Sequence, residues 1–239
     1  MKNRIIPLII ASSLLMAGSS LSLRKSAYSN SLDPDKMLIV LAAPSVNERY
    51  YAEVFEQVIA FDIAYAQVVM GHDNIIVLAD ADTLPYLQGE LPDDILLESE
   101  IADIWMRDFS TVLPSKMVQF RYQPSYLRQS DSGYIQASFN RFTSRHGLEY
   151  TQSELIIDGG NIVDNNADKV IFTERVLDDN PEYNQAEIIE ELKTVLGVAQ
   201  VAIIPQEEDE PMGHADGIAM FISKDTVLVN TYGEPFRSQ

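Results

Sequence analysis

Cysteine is absent from all 239 residues. That excludes a disulfide framework, a thiolate metal site and a cysteine nucleophile within this chain. Positive charge is scarce: 17 Lys and Arg stand against 36 Asp and Glu, a formal charge of −19. Nucleic acid is excluded as a partner, because a phosphate backbone needs a basic surface. A negative field instead raises the local concentration of small cations. Histidine occurs at His72, His146 and His214 alone, and tryptophan only at Trp105. The apolar run near the N-terminus falls short of the ~20 residues a spanning helix needs.

That run, Ile5 to Gly18, follows Lys2 and Arg4 and leads into small residues. With Ala17 and Ser19 at the −3 and −1 positions of a cleavage site, this is the layout of a secretory signal. The expectation is a signal peptide and polar leader over residues 1–30, a domain over 31–239, export, and no membrane attachment after cleavage. Hydrophobic residues make up 46% of the chain, enough for a core.

The domain reads as alternating strands and helices. "MLIVLAA" (37–43) is a buried strand. Ser45 and Glu48 have the spacing of a capping box. Tyr51, Val54, Phe55, Val58, Tyr65, Ala66 and Val69 then follow at helical spacing to Gly71. "NIIVLAD" (74–80) is the next strand. "DIWMRDFSTVLP" (103–114) predicts strand, charged turn, strand, and "KMVQFRY" (116–122) another strand. A helix is predicted over Ile135 to His146. "SELIIDGGNIV" (153–163) is strand, glycine turn, strand, and "KVIFTERVL" (169–177) continues as β. Pro181 opens a helix ending at Gly197, "VAIIP" is a strand, and "GHADGIAMFI" with "TVLVNTY" forms a final pair.

Three turns carry titratable groups between apolar runs. Asp108 and Asp158 are 50 residues apart, and Asp158 and His214 are 56 apart. A period of that length indicates repeated supersecondary units, whose equivalent turns would meet at one end. Taken singly, "WMRD" reads as an Arg–Asp pair, "DGGN" as a tight turn and "GHADG" as a turn before a strand. Taken together, they bring Asp108, Asp158, Asp216 and His214 to one place. Carboxylates that converge need a cation. A metal is one candidate, although H-x-D alone is a weak metal signature. A guanidinium is the other, because its N–H groups make fork-like bonds to carboxylates and a nearby imidazole can move protons.

In order and spacing, "DIWMRDFSTV", "LIIDGGNIV", "FTERVL" and "GHADGIAMFI" resemble the agmatine deiminase and bacterial peptidyl-arginine deiminase family of the guanidine-modifying superfamily. The resemblance implies an α/β pentein, a propeller of five ββαβ-type modules. Roughly three to four are expected here, in a C-terminally incomplete chain. It implies that Asp108, Asp158 and Asp216 hold the guanidinium, that His214 is the general acid/base and that Trp105 lines the pocket. Gly159 and Gly160 would shape a turn tied down by Asn161. Asp158 stands where the family pattern has Glu. The family's C-terminal cysteine nucleophile has no counterpart. No metal or cofactor is implied.

The expected function is therefore a guanidino hydrolase. It would convert agmatine or peptidyl-arginine to a ureido product and ammonia, in a chain that lacks the nucleophile. The alternatives are a non-catalytic guanidinium-binding protein, an inactive fragment, or a metal-dependent hydrolase using His214, Asp216 and Asp158. The expected partner is a small cationic guanidino compound or arginyl peptide. An unclosed ring would favour a homodimer.

Overall fold

The computed structural model describes residues 13–14, 32–33, 35–110, 117–207, 210–231 and 233. Apart from Ser13 and Leu14, the expected signal sequence lies outside them. The first sheet has the order β1-β2-β3-β4. Its strands are β1 (Ser13–Leu14), β2 (Leu38–Ala42), β3 (Asn74–Ala79) and β4 (Leu96–Glu98). β2, β3 and β4 run parallel and β1 pairs antiparallel with β2. A parallel pair needs a crossover, and α1 (Phe55–Val69) supplies it, followed by the short α2 (Leu84–Leu87).

Both faces of this sheet are covered, so its strands are apolar throughout rather than alternating. Ile39, Leu41, Ile75 and Val77 pack against Phe55, Ile59, Ala66 and Val69 of α1. On the other face, Val40, Ala42 and Leu78 meet Met106 and Phe109 of α3 (Met106–Phe109) and Ile135 and Phe139 of α4 (Gln129–His146).

The second half is built from three smaller sheets. β5 (Val118–Arg121) and β6 (Thr151–Ile156) are parallel and joined by α4. β7 (Val163–Asp164) and β8 (Lys169–Thr173) form an antiparallel hairpin. The short α5 (Arg175–Asp178) and then α6 (Gln185–Leu196) lead to β9 (Gln200–Ile204), parallel to β8. Val118, Phe120, Leu155 and Phe172 bury Ile188, Leu192 and Leu196 of α6. β10 (Ala219–Ser223) and β11 (Thr226–Val229) form a last hairpin. Among the described residues no sheet closes into a barrel.

Several local expectations change. Ser45 and Glu48 do not cap α1: Ser45 Oγ accepts from the Asn47 N–H and Glu48 from the Tyr50 N–H, each closing its own turn. A capping box sits instead at Asn184 and Glu187, and α6 begins at Gln185, four residues after the expected opening at Pro181. The stretch around Asp108 is a helical turn rather than paired strands, and residues 111–116 lie outside the described residues. α4 starts six residues before Ile135, through a polar first turn that has no apolar periodicity. The β content after Lys169 ends at Thr173, where α5 takes over.

Candidate active site

The three charged turns meet. Asp108 lies on α3, Asp158 begins the 3-10 turn Gly159–Asn161, and His214 and Asp216 lie in the loop before β10. One His214 nitrogen and one oxygen each of Asp108 and Asp158 fall within 4.8 Å of one another.

Gly160 joins all three turns through its backbone. Its N–H donates to Asp108 Oδ1 at 3.1 Å, and its carbonyl accepts from the Asp216 N–H at 3.1 Å. The glycines are required by close approach. A Cβ at Gly159 would overlap the Arg107 carbonyl, and one at Gly160 would overlap the His214 ring. Asn161 anchors the turn from below: its Oδ1 accepts from the Thr173 N–H at 2.8 Å and the Thr173 hydroxyl at 2.9 Å. The same hydroxyl reaches the Gly213 carbonyl, one residue before His214. Thr173, fully buried at the end of β8, thus fixes the distance between the Asp158 and His214 turns.

Within the cluster, His214 Nε2 lies 3.0 Å from Asp158 Oδ2, but off the N–H direction. The contact is an ion pair rather than a formed hydrogen bond. Tyr126 donates its hydroxyl to the same Asp158 oxygen at 2.5 Å. Asp158 Oδ1 is buried and has no hydrogen-bond partner, and neither does His214 Nε2. Asp216 turns outward, with Oδ2 3.0 Å from Arg107 Nε. Arg107 is itself held by its Nη2 bond to the Ile162 carbonyl at 2.7 Å. Trp105, expected to line the pocket, is 37% exposed. Its indole engages the Tyr51 hydroxyl, which donates to Asp103 at 2.5 Å.

Charge states follow from this packing. Burial opposes charge on His214, but Asp158, then Asp108 and Asp216, outweigh it and push the imidazole up to about 9. Burial, reinforced by Asp158, holds the Asp108 carboxyl well above the usual carboxylate range. Burial also raises Asp216, opposed by Arg107. The site therefore combines an imidazole held charged with carboxyl groups whose ionisation is opposed by burial and by one another.

Sequence reasoning placed Asp108, Asp158 and His214 together, and the structure does bring them together. It set Asp216 beside them without foreseeing Arg107 as its partner. Tyr126, Thr173 and Arg175 were not foreseen. A lone tyrosine in a polar loop has no periodic signal, and its bond to Asp158 spans 32 residues.

Known proteins share this arrangement of elements. C. jejuni agmatine deiminase superposes with a TM-score of 0.67 at 18% identity, covering 80% of this chain and 60% of that one. A cysteine-to-serine variant of it with substrate bound gives 0.62. A peptidyl-arginine deiminase structure gives 0.68 at 21% identity, covering 83% of this chain and 64% of the other. A curated agmatine deiminase from Vibrio parahaemolyticus is 23% identical over 155 residues, 59% of this chain and 43% of that protein. The chain thus spans about two fifths to two thirds of these relatives' lengths. The model of the Porphyromonas-type peptidyl-arginine deiminases matches residues 34–238, and the chain belongs to that family.

Proposed function

We propose that the cluster binds a guanidinium group and that this chain is the substrate-holding part of a guanidino hydrolase acting on agmatine or peptidyl-arginine. The observation that carries this reading is the buried, unpartnered acceptor Asp158 Oδ1, beside the Asp108 carboxyl. Leaving such a group unsatisfied costs ~1–3 kcal/mol. A planar cation rich in N–H donors supplies the missing partner of that oxygen. Asp108 and Asp158 would hold the guanidinium, with Asp216 at its outer side. His214 would hold a proton at Nε2 for the departing ammonia. In deimination the guanidinium carbon gains an oxygen from water and loses one nitrogen as ammonia, which leaves a ureido group. The carbon also needs a nucleophile, and none of the 239 residues is the cysteine that the family resemblance implies. Binding is accordingly the property to measure on this chain. The hairpin–helix–strand unit β7-β8-α6-β9 supports reading the domain as three to four modules of a five-module pentein.

Calorimetry of the 239-residue protein with agmatine is expected to give saturable one-site binding. Asp158→Asn should weaken it by ~30-fold or more, as for loss of one partner of a buried charge pair. No saturable heat at millimolar agmatine and arginine amide would sink the reading.

The same 4.8 Å spacing favours a second reading, a divalent cation held by Asp108, Asp158 and His214. It differs from the sequence-based metal set in having Asp108 in place of Asp216. A metal ligand must be a neutral imidazole, and His214 is held charged. Zinc titration is expected to show no stoichiometric site. One tightly bound equivalent that agmatine fails to displace would replace the guanidinium reading.

A further inference from the structure

We propose that Tyr126 is a positioning residue of this site: its hydroxyl and the His214 imidazole together occupy Oδ2 of Asp158, leaving Oδ1 as the single oxygen offered to an incoming guanidinium. Only the last clause rests on the guanidinium reading. The two donors approach from different segments. Tyr126 lies in the loop between β5 and α4, and His214 in the loop between β9 and β10. Tyr126 gives this oxygen a hydrogen bond at 2.5 Å and the imidazole an ion-pair contact at 3.0 Å, so both groups face Oδ2 rather than Oδ1. Oδ1 stays buried and unpartnered.

The two loops share one brace. Arg175 bonds the Ser125 hydroxyl, next to Tyr126, and its own guanidinium is fixed by Nε contacts of 3.0 Å to both oxygens of Asp179. The Arg175 side chain also packs against Gly213, next to His214: a Cβ there would lie 3.0 Å from Arg175 Cβ. A shared anchor keeps both donors on the same oxygen. Tyr126 is a durable donor, because burial and then the Asp158 charge raise its phenol above the ordinary value. The residue as a whole is 40% exposed, although its hydroxyl lies against Asp158.

The test is the pH titration of the His214 ring by NMR, with its signal identified by its loss in H214N. In Tyr126→Phe, Asp158 loses a donor and pairs more strongly with the imidazolium. The His214 midpoint is expected to rise by about one unit, a tenfold tighter hold on its proton. Agmatine affinity is expected to fall about tenfold as Oδ1 loses its fixed direction. Arg175→Gln keeps the hydroxyl but loosens the loop, and should move both quantities the same way by less. An unchanged His214 titration in a Tyr126→Phe protein of unchanged melting temperature overturns the proposal. A shifted His214 midpoint in a protein that binds no agmatine would uphold the Tyr126–Asp158 link and remove the guanidinium reading instead.

Discussion

At pH 8, Asp62→Asn is expected to make the protein more stable, by up to about 4 kcal/mol. Asp62 lies on the buried face of α1 between Ile59 and Ala66, and its Oδ2 has no partner. Burial is the one cause acting on it, and raises the carboxyl from 3.8 to about 7. That is about three units at about 1.4 kcal/mol each. The sign follows from proton binding. Between pH ~4 and ~7 the folded protein holds a proton that the unfolded chain releases, so stability falls as pH rises through this window and stays low above it. Below pH ~4 both states are protonated and no penalty remains. Urea melts of wild type and Asp62→Asn across pH 4–8 should therefore diverge progressively, with the variant flatter. The chain's large negative charge also disfavours folding at high pH, but it is nearly the same in both proteins and cancels in the difference. Parallel curves would mean that Asp62 finds water or a cation in solution.

Gly159→Ala is expected to have the largest effect on the site. The added Cβ would overlap the Arg107 carbonyl, a backbone atom that cannot rotate away. The 3-10 turn must then lift from α3, at a cost of about 3 kcal/mol or more, and Gly160 N–H must leave Asp108. Both thermal stability and agmatine binding should collapse together. Gly133→Ala is the contrasting case. Gly133 sits inside α4 with nothing within 4 Å of a new Cβ. Alanine there should stabilise by about 0.5–1 kcal/mol and leave binding untouched. A Gly159→Ala protein that melts like wild type would mean that the turn and α3 are not in contact.

These two positions also mark what the sequence could and could not reveal. The glycine turn was legible because paired glycines after an acid have few other reasons to occur between apolar runs. The apolar strands were legible because both faces of the first sheet are covered. Asp62 was not, since the helical pattern around Phe55, Ala66 and Val69 predicts an apolar residue there, and only the packed structure exposes the exception. The false capping box at Ser45 has the opposite origin. Its spacing is right, but the chain spends those side chains on local turns and delays α1 to Phe55. The Arg107–Asp216 pair joins residues 109 positions apart, and no local pattern encodes that.

The tie at Gly160 decides which side chains of this site can change by mutation. Gly160 ties the Asp216 turn by main chain alone, through its carbonyl and the Asp216 N–H, and ties α3 through its N–H and the Asp108 carboxyl. Side chains at 158, 214 and 216 can then be exchanged without breaking that tie, whereas the carboxyl at 108 is part of it. The reach of the acid at 158 can thus change while the bonds at Gly160 stay as they are.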